Sequence, residues 1–131
     1  MTFQKLFHDW QDVEEHNTGD IIFTAGDKAE FMYFLMSGEV ELTLHGQTLE
    51  KETPGGVFGE MAMIKSSAQN ATATAISDVK LARIDRKNLK KVIKGNNGFS
   101  FHIVSTLAKR LKAVNEFIID QINRNKKNPE V

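Results

Sequence analysis

The sequence predicts one mainly β domain with α-helices gathered at its ends, and three observations predict it. Short apolar segments divided by glycine-bearing turns run from Asn17 to Ile84. Beyond Ile84 the apolar spacing becomes helical, at intervals of three and four residues. The chain has 131 residues, 40% of them hydrophobic, which suffices for one core and is too little for two ordinary domains.

The elements follow in order. Phe3, Leu6, Phe7 and Trp10 stand at i, i+3, i+4 and i+7, the spacing of a short amphipathic helix. Ile21-Ile22-Phe23 lies between Gly19-Asp20 and Gly26-Asp27 and reads as a strand. Phe31 to Met36 is an uncharged apolar run, suited to a strand covered on both faces. From Glu39 to His45 polar and apolar residues alternate, as in a strand with one wet face. His45-Gly46 reads as a tight hairpin turn returning through Gln47 to Glu52. Ala71–Ser77 and Val79–Ile84 are further strands, divided by Asp78.

Asp85 is placed to cap a helix over about 86–94 that turns Leu89, Val92 and Ile93 inward, and Gly95-Asn96-Asn97-Gly98 ends it. A long helix then covers about 99–125, and the polar stretch Asn123–Val131 is expected to fray. The β body therefore occupies about 12–85, within a single domain over 1–131 that shows no internal repeat.

Composition removes several function classes. Cysteine is absent, which excludes disulfide scaffolds, Cys-ligated metal centres and thiol nucleophiles. No apolar run reaches the about 20 residues of a membrane span, and Met1 to Lys5 does not resemble a signal peptide. A cytoplasmic protein without membrane attachment is expected. Formal charge is zero, from 17 Lys+Arg against 17 Asp+Glu. That balance is uneven along the chain: residues 1–79 hold 4 basic and 13 acidic residues, and residues 80–131 hold 13 basic and 4 acidic. A uniformly basic nucleic-acid binder is excluded, while the C-terminal part is strongly basic.

Pro54-Gly55-Gly56-Val57-Phe58-Gly59-Glu60-Met61-Ala62-Met63-Ile64 is the most informative stretch. Its glycines let backbone turn sharply and approach a ligand, and Glu60-Met61-Ala62-Met63 suits one turn of helix, whose free N–H groups favour an anion. A carboxylate beside such a turn can accept hydrogen bonds from sugar hydroxyls. The glycine pattern alone is weak evidence.

Taken with Gly19 to Phe23, Ala25-Gly26-Asp27, Phe31 to Met36, Ser37-Gly38-Glu39-Val40 and Ala71-Thr72, this stretch resembles the cyclic nucleotide-binding domain family over roughly residues 10–120. The resemblance implies an eight-stranded β-roll of the double-stranded β-helix type, a jelly roll related to the cupins. It also implies a phosphate-binding-cassette helix and two C-terminal helices.

Carried over residue by residue, the resemblance makes Phe58, Gly59, Glu60, Met61, Ala62, Gln69, Asn70, Ala71 and Thr72 the candidate ligand-binding cassette. Gly59, Met61 and Ala62 match the positions whose backbone surrounds the cyclic phosphate, and Glu60 matches the glutamate that receives the ribose 2′-hydroxyl. This chain departs from the pattern where the family has Pro-Arg. Ala68-Gln69 stands there, and Gln69 cannot neutralise an anion. Between Pro54 and Ile76 the only cation is Lys65. Losing a charge-assisted contact of this kind costs about 2–5 kcal/mol, so tight binding of cyclic AMP or cyclic GMP is not expected.

Other chemistry finds no support. His8, His16, His45 and His102 lack the paired spacing of metal ligands, so no metal or cofactor is expected. No nucleophile elbow or phosphate loop occurs, and catalytic residues are not expected. On the long helix Leu107, Leu111, Val114, Ile118 and Ile122 form a stripe read as the seam of a homodimer, because a helix about 40 Å long outruns a small β-roll. The resemblance also implies dimerisation through this helix in transcription-factor members. Lys80, Arg83, Arg86, Lys87, Lys90, Lys91 and Lys94 form a basic run without aromatic residues, read as a solvated or dimer-facing surface rather than a nucleic-acid footprint. The sequence ends where the DNA-reading half of such a regulator would begin. The expected function is a non-catalytic regulatory or sensing module that takes a weak nucleotide-like ligand or a protein partner. The alternatives are a genuine cyclic nucleotide sensor and the effector half of a transcription regulator.

Overall fold

The computed structural model describes residues 3–127. Eight strands form two four-stranded antiparallel sheets. In chain order they are β1 (Val13–His16), β2 (Ile21–Phe23), β3 (Met32–Ser37), β4 (Val40–Leu44), β5 (Gln47–Glu52), β6 (Val57–Phe58), β7 (Thr72–Ala75) and β8 (Val79–Ile84). One sheet has the order β1-β8-β3-β6 and the other β2-β7-β4-β5. This is the β-roll that the family resemblance implied.

Alternation divides the core in two. Tyr33, Leu35, Phe58, Val79 and Leu81 turn between the sheets, where they meet Phe23, Val40, Leu42, Ala73 and Ala75. Met32, Phe34, Val57, Ala82 and Ile84 point out of the other face of the first sheet. There Phe7, Leu89, Val92, Phe99 and Ile103 cover them. The uncharged run of β3 is thus covered on both faces, as its composition predicts. Phe7 stacks on Phe34 with ring centroids 4.3 Å apart, which closes the helical layer over the sheet.

The turn predicted at His45-Gly46 is present: both residues have positive φ, 51° and 77°, and Leu44 pairs with Gln47 across it. The Asp85 cap is present too, its carboxylate accepting from the Asn88 amide at 2.8 Å. It opens helix α2 (Arg86–Gly95).

Several boundaries differ from expectation. The N-terminal helix α1 covers only Gln4–Phe7, and Trp10 lies beyond it, held by its indole N–H donating to the Arg83 carbonyl at 2.8 Å. β1 and the two-residue β6 were not read as strands. The long helix α3 spans Asn97–Lys127, so it begins two residues before Phe99 and takes in Gly98. Residues 128–131 of the stretch expected to fray lie outside the described residues. Among the described residues no helix is long and apolar enough to cross a membrane.

α3 also follows the β-roll further than its length suggests. His102 Nε2 lies 2.7 Å from the Gly55 carbonyl, Arg110 reaches β5, and Gln121 donates to Gln47 at 3.3 Å. The helix therefore runs antiparallel to β5 along the edge of the second sheet. The basic run divides as well. Arg83 is not on a solvated face: it pairs with Asp12 and Glu14 and lies over the Phe31 ring. Glu14 is one of its partners and also bonds His16.

Candidate functional site

The cassette hangs from the first sheet. β6 pairs with β3 through Tyr33–Phe58 and Phe34–Val57, and the chain then turns at Gly59 into a single 3₁₀ turn, Glu60–Met63. Gly59 has φ 79°. A Cβ there would also sit about 3.0 Å from the Phe31 carbonyl oxygen and 3.1 Å from the Tyr33 ring, so only glycine fits without strain. The chain returns at Gln69, fixed by backbone bonds to Gly26 (2.7 Å) and Asp27 (2.8 Å). The Gln69 side chain is buried, its amide nitrogen 3.5 Å from the Gly59 carbonyl. A neutral amide thus occupies the loop that faces the cassette turn.

The cation of the site comes from elsewhere. Arg110 of α3 is 7% exposed, and its guanidinium uses three nitrogens at once. Nε donates to Glu50 at 2.9 Å, and Nη2 donates to Glu52 at 3.0 Å and to the Val57 carbonyl at 2.8 Å. Nη1 donates to Glu60. Burial opposes the charge of Arg110, but the Glu60, Glu52 and Glu50 carboxylates outweigh it and hold the group above its ordinary range. Glu52 is raised as well, which for a carboxyl favours the uncharged form. Burial, with the Glu50 charge beside it, pushes its carboxyl up to about 7 against the pull of Arg110. Gly56 leaves room for that carboxylate, since a Cβ at Gly56 would collide with it.

Between this cluster and α3 lies a cavity of about 380 Å³. Phe23, Leu42, Leu44 and Leu49 line it from the sheet, the cassette supplies Gly59, Glu60, Met61, Gln69, Asn70 and Ala71, and α3 closes it with Leu107, Arg110, Leu111 and Val114.

Residues 13–96 match the family model described as the cyclic nucleotide-binding domain. The chain belongs to that family. It is 31% identical over 77 residues to the cAMP-dependent protein kinase regulatory subunit of Yarrowia lipolytica, across 59% of this chain and 20% of that protein. The corresponding subunit of Debaryomyces hansenii is 29% identical over 82 residues, across 61% of this chain and 18% of that one. The matched region is thus about a fifth of the length of these curated relatives. Among solved structures, the catabolite activator protein of Thermus thermophilus superposes with a TM-score of 0.72 at 25% identity, over 91% of this chain and 58% of that one. The c-di-GMP-responsive global regulator CLP of Xanthomonas campestris gives 0.74 at 21% identity, over 86% and 59%, a likeness of fold.

The chain is a cyclic nucleotide-binding domain of the regulatory kind. Of the predicted cassette residues, Gly59, Glu60, Met61, Gln69, Asn70 and Ala71 line the cavity. Three do not. Phe58 points between the sheets, Ala62 is buried under the turn, and the Thr72 hydroxyl accepts from the Ala25 amide at 3.0 Å. Lys65 is exposed and makes no ion pair among the described residues.

A cation from outside the Pro54–Ile76 interval also enters the site: Arg110 reaches Glu60 from 50 residues away in the chain. Of the predicted dimer stripe, Leu107, Leu111 and Val114 line the cavity, and Leu111, Ile118 and Ile122 are exposed. Ile103, Leu107, Arg110 and Val114 follow one another at spacings of four, three and four. The position of Arg110 on the inward face was therefore available as a signal. Glu50 and Glu52 gave none beyond their shared parity on β5. Among the described residues no group of histidines and carboxylates has metal-site geometry.

Proposed function

We propose that this chain is a non-catalytic regulatory module whose cassette does not bind cyclic AMP or cyclic GMP tightly. One observation carries the reading: the carboxylate that would receive a ribose hydroxyl, Glu60, is bonded by Arg110, while Gln69 stands where the family places its phosphate-binding arginine. An incoming cyclic phosphate meets no free guanidinium and three carboxylates around a single cation. A ribose hydroxyl reaching Glu60 would share that carboxylate with Arg110, which bonds its Oε1. A calorimetric titration with cyclic AMP and cyclic GMP tests this. Dissociation constants well above 1 μM support it, and one at or below about 1 μM, near 8 kcal/mol of binding, overturns it.

The same reading includes a homodimer through α3, with the seam moved from the stripe read in sequence. Phe101, Val104, Ala108, Leu111, Asn115, Ile118 and Ile122 repeat at three and four residues, and all are exposed. That is a heptad a/d pattern with Asn115 at an a position, where a buried asparagine selects the two-stranded state by pairing with its own copy. Leu107 and Val114 lie outside this seam, toward the chain's own sheet. Sedimentation at micromolar concentration distinguishes a dimer from a monomer.

A further inference from the structure

We infer that the cavity between the cassette and α3 binds a small uncharged molecule with an apolar body. The inference rests on the reading of the site as closed to cyclic nucleotides, and names what it takes in their place. At about 380 Å³ the cavity lies at the small end of the roughly 300–1,000 Å³ usual for small-ligand sites. Its opposing walls are apolar: Phe23, Leu42, Leu44 and Leu49 on the sheet side, Leu107 and Val114 on the helix.

Charge decides the class of ligand. Nε and both terminal nitrogens of Arg110 are already committed to Glu50, Glu52, Glu60 and the Val57 carbonyl, which leaves no cation for a phosphate or carboxylate. A cationic ligand would lose its hydration against leucine side chains and would compete with Arg110 for Glu60, the one carboxylate in the lining. An uncharged body meets neither penalty. Its orientation falls to the amides of Gln69 and Asn70, both in the lining. The Gln69 amide nitrogen makes only the long 3.5 Å contact to Gly59 and retains donor capacity for a carbonyl or hydroxyl. Such a ligand touches cassette and α3 together, and its binding would hold the helix against the roll.

The uncharged fluorescent probe N-phenyl-1-naphthylamine, titrated into the full chain, tests the inference. The expected result is saturable binding at one site per chain in the low micromolar range, with a raised unfolding temperature. Val114→Trp and Leu44→Trp fill the cavity from opposite walls. Each is expected to weaken the probe at least about tenfold while keeping cooperative unfolding, and if one variant does not fold the other decides. Absence of saturable binding, or equal affinity in a folded Trp variant, overturns the inference; the second result places the dye on the exposed face of α3. Cyclic AMP is titrated in parallel. Displacement of the probe by micromolar cyclic AMP overturns both this inference and the reading beneath it, whereas silence from both ligands overturns this inference alone.

Discussion

Arg110 on the C-terminal helix donates to the carboxylate of Glu60 on the cassette turn, across 50 residues of sequence. Glu50 and Glu52 of β5 complete the cluster, so the guanidinium fastens α3 to the β-roll beside the candidate cassette. The net effect on stability depends on every member being present. Removing one partner of a buried pair strands the others without a counter-charge.

Arg110→Leu is therefore expected to destabilise the domain by about 3 kcal/mol, the lower end of the range for breaking a buried ion pair, because Glu50 and Glu60 keep some contact with water. Urea denaturation should show the midpoint fall, and the unfolding temperature should drop by roughly 10 °C. A change below about 1 kcal/mol would mean that the cluster contributes little.

Glu52 sets a pH dependence of definite sign. Its carboxyl is raised to about 7 in the folded chain, from an ordinary value of 4.5. The folded state thus holds this proton more tightly than the unfolded state. The contribution of this group to stability is fully present below about 4.5 and is lost as pH rises through about 7. Glu52→Gln, which keeps the shape and removes the charge, should flatten the urea midpoint over that interval and raise it above pH 7. An unchanged slope in the variant would assign the dependence to another group.

Gly59→Ala should destabilise by about 2 kcal/mol. Left-handed backbone alone costs a non-glycine residue roughly 1–2 kcal/mol, and the new methyl group would press on the Phe31 carbonyl and the Tyr33 ring. Denaturant midpoints measure the loss, and a neutral substitution would show that the turn can relax.

Ile118→Asp places a charge in the exposed a/d seam of α3 without touching the cavity. Sedimentation should report a monomer at concentrations where the parent chain is dimeric, with the far-UV spectrum per chain preserved. Leu107→Asp serves as the contrast: it faces the chain's own sheet and should lower stability instead. Dimer loss from neither variant would remove α3 as the interface.

Much of the roll was legible because its signals are local. Val40–Leu44 alternates, His45-Gly46 supplies two positive φ angles in succession, and the Asp85 carboxylate caps a helix three residues away. β1 was hidden because Val13-Glu14-Glu15-His16 holds a single apolar residue. It is held by pairing with β8 and by Arg83 bridging to Glu14 and Asp12. β6 is two residues long and has no period to read. The cassette was legible by resemblance, but its occupancy was not, since Arg110 meets Glu60 only after α3 has crossed the sheet. A helix also has more than one apolar face. The stripe read from sequence joined residues that turn toward the chain's own roll with residues that turn outward. The opposite charges of the two halves of the chain find a use in this arrangement. Arg83 and Arg110, from the basic half, are both paired within the domain to carboxylates of the acidic half.

The most direct test of the account compares the parent chain with a Gln69→Arg, Arg110→Leu double variant in calorimetric titrations with cyclic AMP, after unfolding curves confirm that the variant is folded. The variant supplies the missing cation and frees Glu60. The account predicts that the parent binds more weakly than about 1 μM and that the variant gains at least about 30-fold, near 2 kcal/mol. Tight binding by the parent, or no gain in a folded variant, would contradict it.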